Sequence, residues 1–357
     1  MKNEFEILDA ANPNDAERWT ALVASSPASD VYYLPQYALA SSRIEDSDPI
    51  AIVAGHASCR FLAPLLIRRL SANVNGIRIN WTDLCSPYGY GGLLPLSPGQ
   101  PTADNLRSFL EMLHDLPRVR SAACCVLRLH PVYGQDEWFT SEEPELFRIR
   151  LRGPTTAIDL TKWDNDRNRP CGLPKNRRWD VNRASRIFRI SWTSGEDKDV
   201  ESKLELFTAL YHEAMEFRHA DGFYKFPPAY FSRLASLGPS FGMALAWLDE
   251  YLVAGSIFLA GRDYAHFHLA AGSEIGMKYG AATLLIVEGS RWARAKGCRL
   301  AHLGGGLAPG DTLQEFKWSL GTQFYRYAYL VGAIDPELYR QICRIPNAPW
   351  PYTEDGI

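Results

Sequence analysis

Pairs of apolar runs recur in the two halves of the chain. In the first half, "IAIVAG" at 50–55 and "RFLAPLLI" at 60–67 are separated by a short polar step. In the second half, "MALAWL" at 243–248 and "YLVAGSIFLAG" at 251–261 are separated by Asp249 and Glu250. Apolar, β-branched runs joined by a short polar turn are typical of β-hairpins. The sequence therefore predicts a hairpin in each half.

After the second hairpin, the pattern predicts a strand, a helix and another strand. "DYAHFHLA" at 263–270 and "CRLAHL" at 298–303 are the strand candidates. Between them, a stripe of small and apolar residues at helical spacing predicts a helix over 281–296 that ends at Gly297: Ala282, Ile286, Gly289 and Ala293. An earlier amphipathic helix carries Leu204, Phe207, Tyr211 and Ala214. This order predicts an α/β (α+β) fold with a mixed, mostly antiparallel sheet flanked by helices.

At 357 residues, the chain is long enough for two domains with separate cores. The hairpin in each half predicts two related modules. "RGPTTAIDL", which contains Gly153 and Pro154, is a plausible boundary near residue 154.

Charge is distributed unevenly along the chain. The segment 167–189 contains eight Arg or Lys and one acid, Asp180, and so carries +7, whereas the whole chain carries −3 and its remainder −10. A polyanion is therefore expected to bind at this one segment. Its candidate RNA-binding residues are Lys175, Arg177, Arg178, Arg183 and Arg186, with Trp179 and Phe188 interleaved. The alternative is a solvated basic helix face.

The N-terminal residues "MKNEFEILDA" do not resemble a secretion signal, and no run of eighteen apolar residues occurs. Seven cysteines show no CxxC spacing and lie mostly in apolar surroundings. We therefore expect a cytoplasmic protein without a membrane span.

The segment "HLGGGLAPGDTLQEFKWSLG" at 302–321 combines a strand end, three glycines, a capped helix start and one lysine. Asp311 or Thr312 can cap the helix, with Gln314 or Glu315 three residues further on. Lys317 lies between Phe316 and Trp318, so its ammonium is expected to be partly desolvated and able to stabilise an oxyanion. The alternative is a flexible turn, Gly304, Gly305 and Gly306, followed by a surface lysine.

Two other groups of residues have alternative interpretations. "MKYGAA" at 277–282 partly matches the acetyl-CoA loop Q/R-x-x-G-x-G/A, but Met277 replaces the polar residue. His266 and His268 are expected on one face of a strand, with His302 on another strand. No carboxylate or cysteine completes a zinc set by spacing, so histidines that line a cleft are favoured.

Taken in order, the basic helix, "FTALYHEAMEFRHADGFYKFPPAYF", "FHLAAGS", "AATLLIVEGSRWARAKGCRLAHLGGG" and "LQEFKWSLG" resemble the FemABX-type, aminoacyl-tRNA-dependent branch of the GNAT superfamily. The resemblance is clearest over residues 170–330. It implies two GNAT-like domains, residues 1–153 with 329–357 and residues 154–328.

The resemblance also implies an activity and its residues. Members of the family transfer an aminoacyl group from tRNA to an amine, and their Phe-Lys pair beside the reacting ester matches Phe316 and Lys317 here. Lys317 would stabilise the tetrahedral intermediate, and the backbone at Phe316 would help to position the acyl carbonyl. We expect Tyr230, His268 and the glycine turn to bind the substrates. The amine must lose a proton, and the acceptor's own groups, water or His268 could assist. The aminoacyl-tRNA is a co-substrate, no metal or other cofactor is implied, and a monomer is expected.

One motif departs from the family. Members that modify cell-wall precursors carry F-x-x-R-x-x-x-Y; Tyr230 fits the tyrosine, but Phe226 occupies the arginine position, beside Lys225. This favours a smaller acceptor amine, such as a peptide or a secondary metabolite, over a nucleotide-sugar precursor. An acyl-CoA-dependent N-acyltransferase and a non-catalytic RNA-binding protein remain the alternatives.

Overall fold

The computed structural model describes residues 4–56, 59–74, 77–116, 119, 122–139, 147–306, 310–346, 348–349 and 351–352. The chain divides into two compact units, Met1–Arg152 with Arg326–Ile357, and Gly153–Tyr325. Among the described residues, no helix has both the length and the apolar character that a membrane crossing requires.

The strands, in chain order, are β1 (Glu4–Asp9), β2 (Asp48–His56), β3 (Cys59–Val74), β4 (Ile77–Cys85), β5 (Leu94–Pro95), β6 (Ala122–Arg128), β7 (Phe147–Asp159), β8 (Trp163–Asp164), β9 (Arg169–Pro170), β10 (Arg189–Ser194), β11 (Phe241–Leu248), β12 (Tyr251–Ala260), β13 (Tyr264–Gly272), β14 (Leu300–Gly304) and β15 (Gln323–Ala333). The helices are α1 (Pro13–Ser25), α2 (Pro35–Glu45), α3 (Ala103–Asp115), α4 (Lys175–Ile187), α5 (Val200–Phe217), α6 (Pro228–Ala235), α7 (Glu274–Lys278), α8 (Ala281–Ala295), α9 (Thr312–Trp318) and α10 (Pro336–Cys343).

Each unit contains a sheet with the same pattern of pairing. In the first unit the order is β1-β2-β3-β4-β6-β15, and in the second it is β10-β11-β12-β13-β14-β7. All neighbours are antiparallel except the fourth pair of each sheet, β4 with β6 and β13 with β14, which is parallel. A parallel pair requires a crossover, which α3 and α8 supply. The predicted fold class is therefore confirmed, and the two hairpins of the sequence are β2-β3 and β11-β12.

The core of the second unit lies between its sheet and helices α4 and α8. Leu284, Leu285 and Ile286 of α8 pack with Val181 and Ala184 of α4 in one buried cluster. The small residue Gly289 is required in α8, because a Cβ at that position would lie 2.0 Å from the ring of Phe258. This packing holds α4 against α8 and so fixes which basic side chains of α4 face solvent.

Candidate active site

The glycine turn after β14 is shaped by a left-handed glycine and by a close contact with an aspartate. Gly304 has φ +76°, which is the conformation that glycine adopts most readily. A Cβ on Gly306 would lie 2.3 Å from Oδ1 of Asp311. The turn therefore needs glycine at both positions. Residues 307–309 of this turn lie outside the described residues.

Helix α9 begins with the cap that the sequence predicts. Oδ1 of Asp311 accepts a hydrogen bond from the backbone N–H of Gln314 at 2.6 Å, and the side chain of Gln314 accepts one from Gly310. These contacts use amides at the start of a helix of only seven residues. Of the two predicted caps, Asp311 or Thr312, the structure therefore uses Asp311.

The ammonium of Lys317 points back to the glycine turn. Its Nζ donates a hydrogen bond to the carbonyl oxygen of Gly305 at 2.7 Å and lies 5.9 Å from the centre of the Phe267 ring. The side chain is partly buried. Desolvation lowers the pKa of Lys317 to about 8, against the opposing effect of the Asp311 carboxylate. At neutral pH, Lys317 is therefore a charged donor held in a fixed position.

Phe316 connects the lysine helix to the basic helix. The guanidinium of Arg177, on α4, lies 5.0 Å from the centre of the Phe316 ring, and its Nε donates a hydrogen bond to Oγ of Ser319 at 2.7 Å. Ser319 in turn donates to the carbonyl oxygen of Phe316 at 2.6 Å. Phe316 and Lys317 follow the basic segment by 130 to 140 residues in the sequence. The structure brings them next to it through the contacts of Arg177 with Phe316 and Ser319.

The basic residues of α4 fall into two groups. Lys175, Arg178 and Arg186 are exposed, whereas Arg177 and Arg183 are partly buried. Arg183 donates to the carbonyl oxygen of Lys278 at 3.0 Å. The exposed three are free to face a polyanion, and the other two have protein partners. The expected interleaving of Trp179 with Phe188 is wrong, because Phe188 is 5% exposed and packs in the core.

Tyr230 and His268 form a hydrogen-bonded pair. The Tyr230 hydroxyl oxygen and Nε2 of His268 are 2.6 Å apart. Tyr230 is fully buried, whereas His268 is partly exposed. Burial lowers the pKa of His268 to about 3, with a smaller contribution from His266, so the imidazole is neutral at physiological pH. His268 is the member of this pair that a substrate can reach.

The three histidines considered as zinc ligands do not share one face. The β12–β13 register shifts so that Phe258 pairs with Phe267 and Ile257 with Leu269, which leaves His268 as an extra residue. His266 instead contacts His302, Nδ1 to Nδ1, at 3.4 Å. The expectation that His266 and His268 share a face is wrong because this β-bulge interrupts the period of two.

Phe226, at the position where the family motif carries arginine, is fully buried among aromatic rings. Its ring stacks on Tyr211 at 6.1 Å and packs 5.0 Å from Tyr230. Lys225 beside it is exposed. The position of the family's arginine is therefore part of a hydrophobic core here and presents no charge.

The segment that partly matches the acetyl-CoA loop lies at the start of α8, and Asp180 lies next to this helix start. Gly280 precedes this helix with φ +80°, and the helix has no side-chain cap. A Cβ on Gly280 would lie 3.3 Å from Cβ of Asp180, which pairs with Arg177 at 3.2 Å and with Arg183 at 3.9 Å. An anion already stands where a pyrophosphate would need to bind.

Three residues of the site were missed by the sequence argument: Asp180, Ser319 and Phe267. Asp180 was visible as the one acid in the basic segment, and its spacing of three from Arg177 and Arg183 predicts helical ion pairs. No sequence signal marked Ser319 or Phe267, because their contacts depend on how α9 packs.

Comparison with known proteins supports the fold. Residues 175–317 match the acetyltransferase (GNAT) domain family. The structure of FemX is similar over 96% of this chain and 100% of that one, with a TM-score of 0.68 and 14% identity. No curated protein sequence matches the chain.

Two further structures have the same fold. One is L-PGS from Bacillus licheniformis, with a TM-score of 0.55, 12% identity and coverage of 94% of this chain and 98% of that one. The other is a tandem GNAT protein from the clavulanic acid biosynthesis pathway, with a TM-score of 0.54, 13% identity and coverage of 94% and 99%. Residues 175–317 are thus similar to the GNAT domain family, and the chain has a fold similar to that of FemX.

Proposed function

We propose that the protein is an aminoacyltransferase that moves an aminoacyl group from aminoacyl-tRNA to an acceptor amine. The observation that carries the proposal is the placement of Lys317. Its ammonium is partly buried, bonded to the glycine turn, and one residue from Phe316, which the basic helix contacts through Arg177. The cation on α9 therefore lies beside the basic helix α4, which we propose binds the RNA.

The chemistry requires few protein groups. The amine nitrogen attacks the ester carbonyl carbon, and the carbonyl oxygen becomes negatively charged in the tetrahedral intermediate. The intermediate collapses as the C–O bond to the terminal ribose breaks, and the proton lost by the amine ends on the ribose oxygen. Lys317 donates a hydrogen bond to the oxyanion, and because an ester is already activated, orientation and one charge supply most of the catalysis.

His268 is poorly suited to remove the amine proton. With a pKa near 3, it is neutral, but its protonated form would be a strong acid. Its hydrogen bond with Tyr230 instead fixes the orientation of the ring. We propose that this pair binds the acceptor through the partly exposed imidazole. The amine proton then passes to the leaving ribose oxygen, directly or through solvent.

The acyl-CoA alternative is disfavoured by the start of α8. Asp180 would repel a pyrophosphate at this site, and Met277 supplies no polar side chain in place of the Arg or Gln of the loop. The acceptor is proposed to be a peptide or a small metabolite, because Phe226 offers no charge to a nucleotide sugar.

The test is a transfer assay with a mixed pool of charged tRNAs and candidate amines. We expect loss of the aminoacyl ester and formation of an amide, identified by mass spectrometry, and we expect RNase to abolish the product. Product formation that survives RNase and requires acyl-CoA would instead support the CoA-dependent reaction. RNA binding without any turnover, unchanged in Lys317→Ala, would support a non-catalytic RNA-binding protein.

A further inference from the structure

One aromatic side chain on α4 is exposed although it lies on the helix that the proposed function assigns to RNA. Trp179 is 58% exposed, whereas Val181 and Ala184 of the same helix are buried. A large exposed indole on a rigid element is costly to leave in water and is a common feature of binding surfaces. Trp179 therefore offers a solvent-exposed aromatic face on the basic helix.

The indole is supported from one side by a fixed arginine. The guanidinium of Arg183, one helical turn from Trp179, lies 4.3 Å from the centre of the indole and 5.6 Å from the centre of the Tyr279 ring. Nη2 of Arg183 donates to the carbonyl oxygen of Lys278 at 3.0 Å. Arg183 is therefore held between two aromatic rings, and it holds the indole in turn.

Arg183 is arranged for stacking and not for phosphate binding. Its Nε is buried and has no hydrogen-bond acceptor within the part of the chain that the structure describes. The Asp180 carboxylate also lies 3.9 Å from Nη2 of Arg183 and partly neutralises the charge that a phosphate would meet. The cations that phosphates can reach are Lys175, Arg178 and Arg186, which are exposed on the same helix.

We propose that Trp179 is a stacking platform for an unpaired nucleobase in the single-stranded 3′ end of the tRNA, a proposal that rests on the proposed aminoacyltransferase function. Aromatic rings between exposed cations are the usual device for binding single-stranded nucleic acid, since every base has a π-face and every linkage a phosphate. Trp179 is next to Arg178 and one turn from Lys175.

The position of Trp179 fits a base a few nucleotides from the ester. Arg177, whose guanidinium covers Phe316, precedes Trp179 by two residues. Two residues advance about 3 Å along a helix and turn about 200°, so Trp179 lies across the width of α4, about 10 Å, from the side that contacts Phe316. An RNA strand whose last ribose is at Lys317 would therefore cross α4 to reach Trp179.

The first measurement is binding of a short single-stranded RNA that ends in CCA, followed by anisotropy. Trp179→Ala is expected to raise the dissociation constant about 10-fold, equivalent to about 1.4 kcal/mol. Trp179→Phe, which keeps a π-face, is expected to restore most of the binding. The matched control is Tyr251→Ala, an exposed aromatic (77%) at the first position of β12, which is expected to leave the constant unchanged.

The second measurement separates this proposal from the proposed function. With charged tRNA as substrate, Trp179→Ala should raise KM about 10-fold and leave kcat nearly unchanged, because the stacking contact is made equally in the ground and transition states. If wild type shows no RNase-sensitive transfer but Trp179→Ala still weakens RNA binding, the function fails and the platform stands. If transfer occurs and Trp179→Ala leaves KM and RNA binding unchanged, the platform fails and the function stands.

An exposed tryptophan among cations is also compatible with an anionic membrane surface. Sedimentation with vesicles that contain phosphatidylglycerol tests this. Binding to vesicles that is lost in Trp179→Ala, together with unchanged RNA binding in that variant, would overturn the proposal. All variants are first compared by thermal unfolding, so that a loss of binding is not a loss of fold.

Discussion

Two helices of the second unit, α8 and α9, each follow a segment that contains glycine. A carboxylate lies next to the first segment and an ammonium contacts the second. Helix α8 follows Gly280 and is faced by the carboxylate of Asp180, which belongs to α4. Helix α9 follows the glycine turn and carries Lys317, whose ammonium is bonded to Gly305 of that turn. A carboxylate thus lies beside the start of α8, whereas the glycine turn that precedes α9 is contacted by a cation.

The two regions differ in the charge that a substrate group would meet. A helix start offers partial positive charge through its backbone amides, and a carboxylate at that position satisfies the field that a phosphate would otherwise meet. Arg177 links the two regions, because it pairs with Asp180 and also covers Phe316. We infer that the acyl donor is recognised at α9 and α4 and not at α8.

The largest expected effect comes from removing the cation. Lys317→Ala is expected to lower kcat about 100-fold or more, because the oxyanion loses its one fixed charged donor in the described site. The measurement is single-turnover transfer from charged tRNA. The matched control is Lys198→Ala, an exposed lysine before α5, which should retain full activity. Equal rates for the two variants would remove Lys317 from the mechanism.

A smaller effect is expected from the glycine turn. Gly306→Ala places a Cβ 2.3 Å from Oδ1 of Asp311, so the cap of α9 must move. Loss of a cap costs about 1 kcal/mol, and we expect a comparable loss in the free energy of unfolding with a drop in kcat of about 10-fold. Gly222→Ala is the control, because a Cβ there meets no atom within 4 Å. Wild-type stability and kcat in Gly306→Ala would show that the cap does not position Lys317.

The turnover rate is expected to depend on pH through the ionisation of Lys317. Because the pKa of Lys317 is about 8 and its charged form is the active one, kcat should fall as pH rises through about 8. Asp311 raises this pKa, so Asp311→Asn, which preserves a capping side chain, should move the falling limb to lower pH. Initial rates corrected for spontaneous ester hydrolysis test this. If the falling limb of the kcat–pH profile lies at the same pH in Asp311→Asn as in the wild type, a group other than Lys317 is responsible for it.

The fold was predicted from the sequence because its signals are local. The hairpins, the helix at α8 and its end at Gly297 follow from apolar periodicity and glycine position. The choice of Lys317 and Phe316 as candidate catalytic residues followed from a family resemblance. The cap of α9 by Asp311 was predicted from its spacing of three residues to Gln314.

What the sequence did not predict depends on packing. The bulge at His268 moves that ring away from His266, and no turn residue marks the bulge. Phe188 looks like a partner for Trp179 in the sequence, but the end of α4 turns it into the core. Asp180 appeared as a lone acid among cations, and only the contact of α4 with α8 shows what it faces. These are tertiary contacts, which neither periodicity nor composition contains.

The smallest expected effect tests Asp180 itself. Asp180→Asn removes the carboxylate at α8 and adds one unit of positive charge to α4. We expect the KM for charged tRNA to fall about 2-fold near 50 mM salt, and this difference to disappear near 200 mM salt, because screening removes the added attraction. The free energy of unfolding should fall by at most about 1 kcal/mol, since the pairs with Arg177 and Arg183 are partly exposed. A KM that rises in Asp180→Asn would mean that the carboxylate serves RNA binding by orienting Arg177, and the contrast between the two helix starts would then be structural and not electrostatic.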